Sequence, residues 1–497
     1  MRHTAGRRAA PTALRERMGP MPEMTRQRRL LVLGICCMSL LIVGLDNTIV
    51  NVALPSIQRD LHASVSGLQW TIDAYTLVLA SLLMLSGSTG DRLGRRRIFQ
   101  TGLVIFTIGS LLCSLSPGLG WLVAFRMVQA VGGSMLNPVA MSIITNVFTD
   151  PKERAQAIGV WGGVVGISLA LGPIVGGALV DSIGWRSIFW INIPVGAAAL
   201  LLTMRYVPES RAERPRRIDP VGQILVLVFL ATLTYAIIEG PSQGWGSALI
   251  VSLFAVAVVA IVCFVRYELR VPEPLVDPRF FRSLPFSSAT VIAVCAFAAL
   301  SGCLFMNTLY LQNVRGYTPL HAGLVTVPLA LMALVFAPIS GRLVGHRGTR
   351  LPLAIAGVAI TASGLMMIGL SNTTPIWWLI ITYVAFGLGF AFVNAPVTNT
   401  AVSGMPRAQA GVAAAIASTS RQVGQTLGVA IIGSAVVSGI AGHFQSSFAQ
   451  ASHVGWWIIA GCGLVVLVLG FLSSGDRARS SATAVRERLT TEPAGVQ

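Results

Sequence analysis

The sequence predicts an all-α integral membrane protein of 14 transmembrane helices, built as two six-helix pseudo-symmetric bundles plus two inserted central helices. Three observations predict it. Hydrophobic residues make up 54% of the 497-residue chain and charged residues only 11%, with a mean hydropathy of +0.72. A soluble fold of this length has no core large enough to hide that much apolar surface. The apolar residues fall in runs of about 20, the length needed to cross a hydrocarbon core of about 30 Å. Read as fourteen spans, these runs leave all but five of the 36 Lys and Arg residues on one side of the membrane.

A basic tail, 1–29, carries eight Arg and comes first. Six spans follow at 30–50, 68–87, 98–115, 119–144, 157–180 and 188–206 and form an N-terminal bundle over 30–206. Two inserted spans, 221–238 and 248–265, lie with their linkers in 207–285. The last six, at 287–311, 322–344, 351–370, 376–397, 412–437 and 455–472, form a C-terminal bundle over 286–473, before a tail at 474–497. Arg92, Arg95, Arg96 and Arg97 fill the loop after span two, and five Arg crowd the loop after span six. Only Arg59, Arg186 and Arg315 stand on the opposite side, and Arg126 and Arg421 lie within spans. Basic loops face the cytoplasm, so the expected location is the cytoplasmic membrane, multi-pass, with both termini cytoplasmic. An odd number of spans would scramble the alternation.

The net charge of +17 is spread over loops between spans. That distribution excludes a nucleic-acid partner, which needs a concentrated basic surface, and points to anionic membrane lipids. The first span is too long for a cleaved signal peptide and lacks a small-x-small site. Cys36, Cys37, Cys113, Cys263, Cys295, Cys303 and Cys462 all fall in spans without a C-x-x-C pair. They predict packing residues, with no disulfide framework and no metal site. No cofactor is expected, and a monomer is.

Two segments recur. Arg154-Ala155-Gln156-Ala157 returns 253 residues on as Arg407-Ala408-Gln409-Ala410, and Gly87, Gly94 and Arg96 return 254 residues on as Gly341, Gly348 and Arg350. Both pairs sit on loops of the basic side. A topology-preserving offset predicts parallel repeats related by an axis along the membrane normal, with a site at their interface. Gly345 stands where the second copy would place the equivalent of Asp91.

Four motifs punctuate the first half. Leu45-Asp46-Asn47-Thr48-Ile49-Val50-Asn51-Val52-Ala53-Leu54-Pro55 ends span one, and Gly87-Ser88-Thr89-Gly90-Asp91-Arg92-Leu93-Gly94-Arg95-Arg96-Arg97 follows span two. Arg126-Met127-Val128-Gln129-Ala130-Val131-Gly132-Gly133 lies in span four; Gly162, Gly166, Gly172, Pro173, Gly176 and Gly177 punctuate span five. Together with fourteen spans, these motifs resemble those of the 14-helix drug:proton antiporters of the major facilitator superfamily, the multidrug and antibiotic efflux branch. The resemblance covers roughly residues 29–475.

The residues carry readings of their own. Acids within spans are costly and usually functional, which singles out Asp46 and Asp73. A buried guanidinium needs a partner, so Arg126 is expected beside Asp46 or Asp73. Asp73 is read either as a rim residue or as a site for a second proton or a cationic substrate. The resemblance implies that Asp46 and Arg126 take part in proton transfer. It also implies that Gly87, Asp91, Arg92, Gly94, Arg95 and Arg96 form a cytoplasmic latch, in which Asp91 meets a helix N-terminus or a neighbouring Arg. Gly162/Gly166 and Gly172/Gly176 are G-x-x-x-G pairs that permit close helix approach, and Pro173 can kink the helix. The resemblance makes this span a gate of exporters. Glu239 and Arg186 are expected at the rim, and Arg421 is left without an assigned partner.

The function that follows is proton-coupled export of lipophilic drugs, antibiotics or related toxic compounds by alternating access. Its alternatives are export of one endogenous or lipid-like metabolite, a membrane-embedded enzyme, and a channel. No G-x-x-x-x-G-K-[ST] loop is present to bind ATP. No cluster of His, Asp or Glu marks a catalytic site, so an enzyme is not expected. The expected partners are a small lipophilic substrate, protons and membrane lipids.

Overall fold

The computed structural model describes residues 24–212, 217–406, 409–440 and 444–491. The first five arginines of the N-terminal tail, Arg214, Arg216, and Arg407-Ala408 of the second tetrapeptide lie outside the described residues. Among those described, every regular element is helical.

The helices are α1 Arg26–Leu61, α2 Val65–Leu93, α3 Arg95–Ser114, α4 Leu119–Val147, α5 Pro151–Ser182 and α6 Ser187–Tyr206. A hairpin follows, α7 Pro220–Gln243 and α8 Ala248–Glu268. Then come α9 Leu284–Val314, α10 Pro319–Arg347, α11 Arg350–Met366, α12 Ile376–Val402, α13 Ala410–Gly439, α14 Phe444–Leu472 and a terminal amphipathic α15 Asp476–Thr491. Side-chain caps start many of them. Thr25 caps α1, Ser64 α2, Asp150 α5, Asp219 α7, Ser247 α8 and Thr318 α10, each accepting a hydrogen bond from an otherwise unpaired backbone N–H. Pro151, Pro220 and Pro319 follow three of these caps, where a missing N–H costs nothing. Gly94 (φ 118°) and Gly348 (φ 74°) turn the chain at matching points of the two repeats. A left-handed backbone there favours glycine.

Thirteen of these helices are long and apolar enough to span a membrane. The fourteenth expected span is α11, 17 residues of regular helix that continue as turns to Gly369. Its Gly357 and Gly364 bring it against Leu467 and Ala460 of α14, so it occupies a helix position in the bundle. The first span also differs from expectation. It runs 36 residues, through Pro55, rather than ending near residue 50. Val52, Ala53, Leu54, Pro55 and Ile57 are all buried, and that packing overrides the break a proline favours.

One packing scheme appears twice. In the first half α1 packs on α5 and α6, α2 on α4, and α3 on α4 and α6. In the second, α9 packs on α13 and α14, α10 on α12, and α11 on α12 and α14. Each pair maps onto its counterpart eight helices later, as the sequence repeat predicts. The halves meet along two seams, α5 with α10 and α2 with α13. The α7–α8 hairpin lies beside the second seam, against α2 and α13.

Small residues set these contacts. A side chain at Gly132 of α4 would collide with the backbone of Gly102 and Phe106 in α3. Gly132→Ala therefore forces the two helices apart and is expected to cost about 1–3 kcal/mol, read as a lower melting temperature of the detergent-purified protein.

Candidate functional site

Asp46 stands in mid-α1 and is completely buried, as is Arg126 of α4. The Arg126 Nη1 donates to Asp46 Oδ2 at 2.5 Å. The other carboxylate oxygen accepts from Gln129 Nε2 (2.8 Å) and Asn192 Nδ2 (3.0 Å). Gln129 and Asn192 also donate to the Ser110 hydroxyl, at 2.8 and 3.3 Å. Arg126 also donates from Nε to the Thr71 carbonyl (3.2 Å) and from Nη1 to the Gln129 amide oxygen (2.8 Å). Its guanidinium carbon lies 4.1 Å from the centre of the Tyr75 ring. Five helices, α1 to α4 and α6, thus converge on one ion pair, each supplying a polar side chain or carbonyl to the network.

Of the two acids offered to Arg126 by the sequence, Asp46 is thus the partner and Asp73 is not. The pair lies inside the first bundle, with the Tyr75 and Phe189 rings against the Arg126 guanidinium. Gln129, Asn192 and Ser110 were not singled out from the sequence. The signal available was the i+3 spacing of Gln129 from Arg126, which places both on one helix face. Asn192 had no comparable signal.

Asp73 is not a rim residue either. It is fully buried on α2, on the face that meets α13. One turn before it, Gln69 Nε2 donates to the carbonyls of Val429 (3.0 Å) and Ala430 (3.2 Å). One turn after it, the Thr76 hydroxyl accepts from Thr426 at 2.9 Å. Both Asp73 oxygens are without a hydrogen-bond partner among the described residues. Glu239 accepts from the Trp70 indole at 2.9 Å, and Arg186 pairs with Asp60 at 2.6 Å.

The span-five glycines divide along the helix. Gly172 and Gly176 press against Thr48 and Ile49 of α1, and Gly177 against Pro319 and Leu320 of α10. The Pro173 carbonyl abuts Gly323 of α10, and Gly166 meets Leu334. Gly162 faces open space, so the first G-x-x-x-G pair makes no close approach there. Hydrogen bonds between the halves follow the same division. Gln312 donates to Val52 O (2.8 Å), Asn313 to Gln58 (3.0 Å) and Leu320 N to Asp181 (3.0 Å), all toward the face away from the basic loops. A cleft lined by Thr48, Asn51, Val52, Leu169, Pro173, Leu304, Thr308 and Thr326 lies between the halves just inside this closed end.

On the basic face, Asp91 pairs with Arg95 at 2.8 Å. The segment after α6 clasps the loop. Ala212 N donates to Asp91 O (3.0 Å), Arg95 N to Ser210 O (2.9 Å) and Arg96 N to Glu209 (3.1 Å). Gly94 leaves no room for a side chain beside the Glu209 carboxylate. Gly87 and Gly90 pass close to Pro138 and Val139 of α4, and Arg92 is exposed. Among the described residues, the Asp91 contacts stay within the first half.

The Major Facilitator Superfamily profile matches residues 36–429. The chain belongs to this superfamily. It is 37% identical to the multidrug resistance protein Stp of Mycobacterium tuberculosis over 85% of this chain and 79% of that protein. It is 38% identical to the tetracenomycin C resistance and export protein of Streptomyces glaucescens over 83% and 77%. In fold it resembles a bacterial homologue of the human drug peptide transporters PepT1 and PepT2, with a TM-score of 0.64 at 13% identity, covering 93% of this chain and 99% of that one. A bacterial homologue of the lysosomal transporter Spinster gives 0.58 at 18%, covering 95% and 99%. This superfamily member is therefore an integral membrane transport protein.

Breaking a buried pair strands a charge, at a cost of about 3–5 kcal/mol. Arg126→Met is expected to lower the melting temperature of the purified transporter. Adding Asp46→Asn to it is expected to recover part of that loss, because the stranded charge is gone. A double-mutant cycle with coupling below about 0.5 kcal/mol overturns the pairing.

Proposed function

We propose that this chain exports lipophilic drugs or antibiotics across the cytoplasmic membrane in exchange for protons, by alternating access between two six-helix bundles. The basic face is the cytoplasmic one, and the contacts of α5 with α1 and α10 close the opposite face in this state. The observation that carries the reading is the placement of Asp73, an acid sealed into the seam between the halves without a partner. Burying a bare carboxylate costs several kcal/mol. The α2–α13 seam therefore closes once Asp73 has taken a proton from outside, and an ionised Asp73 keeps it open. Asp46 and Arg126 form the second element. Parting the two strands a bare charge inside the bundle, at a cost of several kcal/mol. Motion of α1 against α4 thus trades this ion pair for a bound proton. Each elementary charge crossing 100 mV releases about 2.3 kcal/mol, enough for one proton to drive a steep gradient.

Pro173 and Gly172, Gly176 and Gly177 make the outer closure, where α5 lies against α1 and α10. The Asp91–Arg95 loop serves as the cytoplasmic latch when the inner ends approach. The names of the relatives, a multidrug resistance protein and an antibiotic export protein, support drugs as the cargo. The tetracenomycin C relative supports the second reading, export of one compound made by the same cell. A susceptibility panel in an efflux-deficient host separates the two, since a single-compound exporter protects against one class alone.

In inverted vesicles with an internal pH probe, Asp46→Asn is expected to abolish drug-dependent proton movement while the protein reaches the membrane at normal level. Unchanged coupling removes Asp46 from the role. Asp73→Asn mimics the protonated acid and holds the seam shut. It is expected to lower proton-driven efflux at least tenfold and to slow labelling of cysteines placed beside Gln69. Pro173→Ala is expected to weaken export several-fold, and wild-type efflux from that variant removes α5 bending from the mechanism.

A further inference from the structure

Arg421 is the membrane-embedded cation that the mechanism leaves unused. No Asp or Glu occurs in the sequence between Asp277 and Asp476. The entire second bundle therefore holds no carboxylate to neutralise it. In the structure the Arg421 Nη2 donates to the Thr398 hydroxyl of α12, and Nε is buried without an acceptor among the described residues. By contrast, Arg126 meets Asp46, and Arg315 is satisfied by the Thr374 carbonyl at 2.6 Å.

The surroundings are those of a ligand site. Ala414, Ser418, Arg421, Gln422 and Gln425 form a part-exposed stripe along α13 at helical spacing. The other faces of α13 are occupied. Gly424 and Gly428 press on Val294 and Ala298 of α9, and Thr426 bonds to Thr76 of α2. A stripe this polar on a membrane helix suits a polar cavity better than lipid. The Ser301 hydroxyl donates to the Gln425 backbone carbonyl at 2.9 Å, which sets the Gln425 end of the stripe one turn from Leu304 at the cleft. The side-chain carbonyls of Gln422 and Gln425 have no donor. These amides are unanchored, and either edge can turn to a ligand.

We infer that Arg421, with Gln422, Gln425 and Thr398, is an anion-recognising subsite that takes the carboxylate or phenolate group of an otherwise apolar substrate. A guanidinium short of acceptors gains two charge-assisted hydrogen bonds from such a group. The apolar body of the same molecule rests on Leu304, Val52 and Leu169. The inference rests on the export reading and narrows it to amphiphilic anions.

The test uses the full-length protein in nanodiscs of zwitterionic lipid, with no ion gradient, and two xanthene dyes of like shape and opposite charge. Fluorescein is the anion and rhodamine 6G the cation, and anisotropy reads binding. Wild type is expected to bind fluorescein. Arg421→Gln is expected to reduce the fluorescein-to-rhodamine affinity ratio at least tenfold, and Arg421→Lys to restore most of it. A ratio within twofold of wild type in Arg421→Gln overturns the inference. So does wild type that binds rhodamine 6G and not fluorescein, and that result leaves export standing. Wild type that binds neither dye overturns the export reading and the inference with it. If Arg421→Gln aggregates, Gln425→Leu decides, because it keeps the charge. A fluorescein affinity unchanged in that variant overturns the subsite.

Discussion

A charge inside hydrocarbon must be paired, and the Asp46–Arg126 pair is the point from which the first bundle is organised. Neither member could be there alone at less than several kcal/mol. Satisfying both draws Thr71, Gln129, Ser110 and Asn192 to one point from four different helices. Lipid gives helices little hydrophobic reason to associate, so shared hydrogen bonds and close glycine contacts must hold them together. The network supplies the first of these at mid-depth. The Gly102–Gly132 contact of α3 with α4 supplies the second. The same pair that tightens the bundle is the one proposed to exchange its ion pair for a proton, so in that proposal rigidity and coupling share one set of atoms.

The second bundle repeats the packing without the charges. At 254 residues beyond Asp46 stands Leu300, and at 253 beyond Arg126 stands Leu379, both buried. Asp73 finds Val327 at the same offset, and Asp91 finds Gly345. Duplication therefore kept helix contacts, which depend on small residues and shape, and let the ionisable groups diverge. The reverse holds at Arg421, whose counterpart at offset 254 is Ile167. The buried span acids Asp46 and Asp73 stand in one half, and Arg421, with no carboxylate to neutralise it, in the other. The seam between them is where, in the proposed mechanism, a proton and a substrate each bias the same rocking equilibrium.

How much of this was legible beforehand depended on range. Runs of apolar residues and the loops bearing Arg92–Arg97 or Arg211–Arg217 are local signals, and they gave span number, order and the duplication. The Asp46–Arg126 pairing was legible as one of two options, because each charge within a span needs a partner. Asn192 was not, since one amide in span six says nothing about which helix it will face. Asp73 was left open between a rim residue and a proton or substrate site because its position along α2 is near the helix end; that the end is covered by α13 is a fact of the tertiary seam. Gly162 and Gly177 look alike in sequence, yet one faces open space and the other Pro319. Their difference belongs to the tertiary packing around α5 rather than to either residue.

Under the proposed exchange, the asymmetry between the halves also bears on what drives transport. An anionic substrate leaving as one proton enters moves two elementary charges inward across the membrane. At about 2.3 kcal/mol per charge per 100 mV, that exchange gains about 4.6 kcal/mol from voltage. A monovalent cation leaving in the same exchange moves no net charge and draws on the pH difference alone. A second bundle with no carboxylate suits the first cargo and not the second. In that proposal the Arg421 guanidinium receives the anion, while Asp73 in the closed seam carries the proton side of the exchange on the opposite wall. Charge placement would then couple cargo sign to driving force without any contact between the two ligands.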